Sequence, residues 1–511
     1  MLFKKRKLIS TFLIVFLVIS VLLVESCAKN NSANTNKSGS SQESPTVVTI
    51  FTEFDTPQPP NSNNAAQKEI EKRTNTKLNI MWASANNFKQ KENVILASGN
   101  IPDLMKIVDG NYGINNTQFI QMAKQGAFWD LGPYLKDYKN LMLYPEAIYN
   151  KCKLDGKQYL LPSVRPLKGT SYFAIRKDWV DKLNLKVPET IDDLYNVLNA
   201  FKNNDPDGNG KNDTIPWNGW GWSSVIDTFN ASTGKYKVSN DELVNTELSL
   251  GTRQGLEWLA KAYKDKLMDA DFSTFKKSQA EDLTKGGNCG MGVDTVEGMW
   301  RSTEACLKIN PKADFLPLNY LTGPNGKYAP QGSGMSCAYA IPKTVSEKKM
   351  KSILALMDFG ASDEGFTLAC WGVKDVDYTE DSDGFKTLTA QGIKDNIGQS
   401  SYGKIFEKYD KYLWALRTGM PKSVYERNKK IIDVRSTLSI PDPTVGLVSE
   451  TGIKLGSEYN QKANDLKTKI IIGSQPIEAW DKYVEQLKSD QDYLKIDKEY
   501  NDAYQAKLKQ Q

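Results

Sequence analysis

The chain has 511 residues, 66 Lys and Arg against 61 Asp and Glu, a net charge of +5 and no histidine. So small a charge over that length gives no basic field of the kind nucleic acid selects, and the missing imidazole excludes the serine, cysteine and zinc hydrolases that use it as base or ligand. Carboxylate, lysine or tyrosine chemistry and oxygen-ligated metals stay open, while 11 Trp, 23 Tyr and 18 Phe lean toward binding rather than catalysis.

The N-terminus opens with a basic stretch, Lys4 to Lys7, and an apolar run over 11–24 that is short for a membrane span. Val24-Glu25-Ser26-Cys27 then resembles a bacterial lipobox, with Glu25 where a small residue is usual. On that reading residues 1–26 are a signal peptide, cut before Cys27, whose acylation anchors the body to a membrane; the alternative is an uncleaved signal anchor. Residues 27–45 are small and polar and form a disordered tether. The expected location is the extracellular face of the cell membrane. Past Cys27 the five cysteines, Cys152, Cys289, Cys306, Cys337 and Cys370, form no CxxC and read as buried hydrophobes, with one disulfide still open.

In the body, 47–53 (VVTIFTE), 77–83 (KLNIMWA) and 103–108 (DLMKIV) read as strands, separated by helices over 65–73 and 88–97. That alternation predicts a parallel sheet with helical crossovers. A short strand over 172–175 follows, then a helix through Trp179, Val180 and Leu183. Thr190 reads as the cap of a helix that carries Ile191, Leu194, Val197, Leu198 and Phe201 on one face. Residues 253–266 are amphipathic, 290–293 and 338–341 are strands, Ser346 caps a helix, and the last eighty residues are mostly helical. The class is α/β, with two lobes.

The sharpest local motif is Asp205-Pro-Asp-Gly-Asn-Gly-Lys-Asn-Asp213. Asp205, Asp207 and Asn209 alternate, Gly210 allows a sharp turn, and the Lys211 carbonyl and Asp213 follow, as at the start of an EF-hand loop. Pro216 stands where the closing glutamate would be, so the expected role is structural calcium; the alternative is a plain polar turn.

Sugar recognition needs flat apolar platforms and planar polar groups. Trp220 and Trp222, in a glycine-bearing loop, are candidate platforms unless one plugs the core. Trp300 follows a strand-to-helix passage, at the kind of strand end where open α/β sheets place ligands, and Trp371 precedes a glycine where the chain changes lobes. Glu53, Phe54, Asp55 and Asp109 lie at other strand ends, where their carboxylates accept from hydroxyls or cap helices. Trp82, Trp129, Trp179, Trp258 and Trp480 read as core. A glycosidase using two of these carboxylates and a receptor for a peptide or other solute are the competing functions.

Taken in order, Ile101-Pro-Asp-Leu104, Asp155-Gly-Lys-Gln-Tyr159 with Pro162, Arg176-Lys-Asp-Trp179 with Val187-Pro188 and Thr190, the 205–213 loop, Gly290-Met-Gly-Val293, Trp371-Gly-Val373 with Tyr378, and Trp480-Asp-Lys-Tyr483 with Glu499-Tyr500 resemble the extracellular solute-binding lipoproteins of oligosaccharide ABC importers, the branch with the alginate binders. The resemblance implies a periplasmic-binding-protein type II fold with hinge crossovers. It implies an N-terminal lobe of 46–165 and 316–375 and a C-terminal lobe of 166–315 and 376–511. Sugar would be bound in the cleft by a non-catalytic, monomeric receptor that docks on an ABC permease. It places calcium on Asp205, Asp207, Asn209, the Lys211 carbonyl and Asp213, with Thr214 where the family has an acid. It also places Trp300 on the sugar, Glu53, Asp55 and Asp109 at the loops of the first lobe, and Tyr172 near the first crossover.

Overall fold

A computed structural model describes residues 44–107, 116–382, 384–417 and 419–509. Cys27, the signal and tether up to residue 43, and Asp109 lie outside the described residues.

Strand β1 (Thr46–Phe54) is rich in β-branched and aromatic residues and buries Val48, Ile50 and Phe51. Helix α1 (Ala65–Thr74), capped by the Asn64 side chain on the Gln67 N–H, returns the chain to β2 (Thr76–Ser84), parallel to β1 along its length. Helix α2 (Ala85–Ser98) returns it to β3 (Leu104–Ile107), on the other side of β1. Strand β4 (Leu161–Val164) ends this passage.

A second sheet begins with β5 (Tyr172–Arg176). Helix α3 (Ile191–Asn203) starts on a full capping box between Thr190 and Asp193 and buries Ile191, Leu194, Val197, Leu198 and Phe201, the stripe its period sets on one face. Helices α4 (Ser223–Asn230) and α5 (Leu250–Lys264) follow. Strand β6 (Met291–Asp294), helix α6 (Met299–Leu307) and strand β7 (Phe315–Pro317) complete the sheet, β6 and β7 flanking β5 antiparallel.

The chain then re-enters the first sheet as β8 (Met335–Ala340), antiparallel to both β3 and β4, in the order β2-β1-β3-β8-β4. Helices α7 (Glu347–Gly360) and α8 (Asp363–Trp371) contribute to that sheet's core. The chain ends in α9 (Lys422–Leu438), α10 (Glu450–Ile471), α11 (Glu478–Ser489) and α12 (Gln491–Leu508).

Each sheet owns a core. One gathers residues from Val48 to Val164 and from Met335 to Phe406. The other gathers residues from Tyr172 to Tyr328, then Ala463, Ile470, Ile471 and Trp480. Trp179, Trp258 and Trp480 are core residues, and Trp82 and Trp129 pack on the edge of the first core. Three connections join the halves, at 165–171, 329–334 and 407–414. The first two pair with each other: the Arg165 N–H donates to the Gly334 carbonyl and the Gly332 N–H to the Leu167 carbonyl, each at 2.7 Å. Residues 315–328 pack into the second core and 378–406 run beside the first, so the exchange points lie later than the sequence implied: β7 pairs with β5, and Tyr402 and Phe406 fill the first core. All five cysteines of the body are buried and free. Among the described residues no helix is long and apolar enough to cross a membrane.

Candidate ligand cleft

The carboxyl ends of β1, β4 and β6 and the amino ends of β5 and β8 meet a cavity of about 550 Å³ between the two sheets. This is the edge at which open α/β sheets offer ligand groups, because side chains there leave the strands without a ladder partner. Asp55, Arg165, Met335, Ser336, Phe366 and Lys404 line it from the first half. Ser171, Ser223, Ser224, Asp227 and the run Asp294, Thr295, Glu297 and Arg301 line it from the second. Tyr328, Gln331 and Trp414 line it at or beside the connections.

The wall is polar and mostly neutralised in place. Lys404 Nζ lies 2.5 Å from Asp55 and 3.6 Å from Glu53, which also holds the buried Lys106 at 3.0 Å. Burial pushes the Glu53 and Asp55 carboxyls up, but Lys106 and Lys404 outweigh it and leave both below the ordinary carboxylate range. Arg301 lies 2.6 Å from Asp294 and Arg417 3.1 Å from Glu297. Arg165 is ion-paired with Glu407, whose other oxygen accepts from the Ser163 hydroxyl at 2.5 Å. Among the described residues Asp227 alone of the four cleft acids is in no ion pair, and burial pushes its carboxyl up to about 8.

Of the residues picked from the sequence, Asp55 lines this cavity. Glu53 sits beside it as the counter-ion of Lys106. Phe54 turns edge-on to Trp82. Tyr172 is fully buried in the second core, its hydroxyl 3.1 Å from Thr228 Oγ1. Trp222 packs on that core half-buried, and the Trp220 carbonyl accepts from the Trp217 indole at 3.3 Å. Trp300 is 7% exposed with no partner for its indole nitrogen. Trp371 packs against Tyr378 and lines a separate 340 Å³ pocket with Phe385 and Tyr425. The rings on the main cavity are instead Phe366 and Trp414, while Tyr328 touches its edge but is buried in the second core. Trp414 lies in 401–421, a stretch too irregular for periodicity to mark it. Its signal was position: a tryptophan at the end of the third connection.

The 205–213 loop stands apart, with none of its residues on the cavity. Asp205, Gly208 and Gly210 take positive φ and wind it tightly. The Asn209 amide donates to Asp207 Oδ2 and Asp213 Oδ1, both at 2.9 Å, and the Gly210 N–H donates to Asp205 Oδ2 at 3.0 Å. Asp205 Oδ1 is buried without a partner. The Asp207 carboxyl is the main influence lowering Asp205, while burial, then Asp205, raises Asp207. Among the described residues no group of three or more Asp, Glu, Cys or His side chains is set to hold a metal ion.

Two α/β halves around a polar cleft at their strand ends, with three short connections, define a two-lobed binding protein. The model of the bacterial extracellular solute-binding protein family matches residues 57–365, and the chain belongs to that family. It is 30% identical over 488 residues to lipoprotein LipO of Bacillus subtilis (strain 168), covering 92% of this chain and 94% of that one. Two solved structures share the fold. The alginate-binding protein AlgQ2 without calcium ion has a TM-score of 0.69 at 22% identity, covering 91% of this chain and 99% of that one. An EF-hand mutant of the ABC-transporter substrate-binding protein FusA of S. pneumoniae, in complex with fructo-nystose, has a TM-score of 0.67 at 22% identity, covering 90% and 100%.

Proposed function

We propose that the protein is a lipid-anchored extracellular receptor that captures an oligosaccharide in this cleft and delivers it to an ABC permease. The observation that carries the reading is the cavity itself: about 550 Å³, rich in hydroxyls and carboxylates, with the half-buried Trp414 and Phe366 on its wall. Rings take the C–H faces of pyranoses and the polar groups take the hydroxyls. The alginate named for AlgQ2 and the fructo-nystose named with FusA point to sugars. No bond is broken in this mechanism. Sugar touches both lobes, 45–165 with 331–409 and 166–330 with 410–511, and so favours the closed state by its differential affinity. The body works as a monomer held by a lipid on Cys27.

Titrating the soluble body with alginate trisaccharide, nystose and maltotriose in a calorimeter tests this. Saturable heat with at least one and recovery of intact sugar are expected; turnover would make the protein a glycosidase, and silence across a broad glycan set would sink the reading.

Calcium fits the 205–213 loop on one specific ground. The unpartnered, buried Asp205 Oδ1 faces a loop in which Asp205, Asp207 and Asp213 crowd together, and rotation of the Asn209 amide would present its oxygen in place of nitrogen. The Lys211 carbonyl completes the set, and the ion would neutralise the crowding and fix the loop. Calcium at a hundred times its Kd should stabilise the fold by about 2.7 kcal/mol, read as a higher Tm than in EDTA. Asp205→Ala should abolish the difference, and equal melting with and without calcium in the parent would rule the site out.

A further inference from the structure

We infer that Asp227 is a specificity-determining residue of the cleft, reading adjacent hydroxyls of a sugar ring as an uncharged carboxylic acid that donates one hydrogen bond and accepts another. The inference rests on the oligosaccharide reading above and adds to it a residue and a charge state.

Helix α4 sets the geometry. Ser223, Ser224 and Asp227 stand at i, i+1 and i+4, so they share one face, and all three line the cavity. Val225, Ile226 and Phe229 point the other way into the second core. Asp227 is thus held on a rigid element, open to the cavity on one side.

The other three cleft acids are committed to Lys404, Arg301 and Arg417 at 2.5, 2.6 and 3.1 Å. Asp227 has no ion pair among the described residues. The charged groups acting on it are Lys467, Asp442 and Glu247, and the lysine ammonium is already taken by Glu247. Burial is the main influence and Asp442 and Glu247 add to it, so the carboxyl is pushed up to about 8 against the opposing pull of Lys467. A half-buried carboxylate with no ion-pair partner is unfavourable, and the proton removes the charge. A sugar hydroxyl both donates and accepts, so the protonated acid matches a neighbouring pair of hydroxyls with no charge to desolvate.

The test is calorimetric titration of the full soluble body with the strongest binder among alginate trisaccharide, nystose and maltotriose, between pH 6 and pH 9. Wild-type affinity should be level up to pH 7 and fall about tenfold by pH 9, because roughly one carboxyl in ten remains protonated a unit above its midpoint. Asp227→Asn, which donates and accepts without titrating, should bind within a few-fold of wild type and lose the alkaline fall. Asp227→Ala should bind at least about tenfold more weakly at pH 6.5. Lys151, which burial brings down to about 8, titrates in the same window and would leave its step in the Asn variant. Full affinity in Asp227→Ala, or the same alkaline fall in Asp227→Asn, overturns the inference while the receptor reading stands. Binding of no probe by wild type overturns both. Thermal melts of both variants confirm folding, and the Asn variant, nearly isosteric, carries the pH arm if the Ala variant melts early.

Discussion

Lys467→Met should lower the unfolding free energy in urea at pH 7 by up to about 3–5 kcal/mol, because it strips the buried Glu247 carboxylate of its nearer partner and leaves only the part-exposed Lys235. Lys467 on α10 is ion-paired with Glu247, whose side chain is 3% exposed, and Lys235 reaches the same carboxylate at 2.9 Å. Burial pushes Glu247 up, but Lys467 and Lys235 outweigh it and bring its carboxyl down to about 2 from 4.5. A folded pKa below the unfolded one gives stability that is complete above about 4.5 and is lost as the pH falls toward about 2. Wild-type stability should therefore decline over that acid range, and the Lys467→Met profile should be flatter. Adding Glu247→Leu to Lys467→Met should recover much of the loss, since a well-packed apolar pair replaces a buried ion pair at little net cost. Unchanged urea midpoints in the single variant would show that the pair contributes nothing.

Trp414→Ala should weaken oligosaccharide binding by about 2 kcal/mol or more, some thirtyfold in Kd, with little change in melting. The ring is half-buried on the cleft wall, and its Cβ lies against Gly169, where φ is +87° and an added Cβ would come within 3.3 Å. The side chain also packs on the cluster of Val296, Ile431 and Ile432, so part of its ordering precedes ligand and less is spent on binding. Trp300→Ala is the contrast: with 7% exposure it should destabilise the fold by about 3–5 kcal/mol through the cavity it leaves. Calorimetry and thermal melts on both variants decide. A Trp414→Ala protein with wild-type affinity, or a Trp300→Ala protein that melts normally and fails to bind, would exchange their roles.

The difference between those tryptophans marks what a sequence makes legible. Periodicity is local, so Thr190 with Ile191, Leu194, Val197, Leu198 and Phe201 could be read as a capped, one-faced helix, and the structure has that helix. The first strands, their crossovers and the α/β class followed from the same kind of signal, and the ordered motifs led to the family. The cleft is not local. Asp55, Arg165, Asp227, Asp294 and Trp414 come from distant stretches and meet only because strand ends align. Asp227 in isolation looks like any acid on the polar face of a helix. Trp300 beside a strand end read as a sugar platform, whereas its helix turns the ring inward while the neighbouring Arg301 reaches the cavity. The 205–213 motif had the opposite property, lying within nine residues and visible without tertiary context.

The pairing of the first two connections has a mechanical consequence. Because Arg165 bonds Gly334 and Gly332 bonds Leu167, those segments form a two-stranded ribbon rather than two independent threads. Glu407, held by Arg165 and Ser163, clamps the third connection to the root of that ribbon, and the Arg435 guanidinium on the Thr170 carbonyl at 3.0 Å clamps its far end. A ribbon pinned at both ends resists sliding of one half past the other more than it resists twisting about its own length.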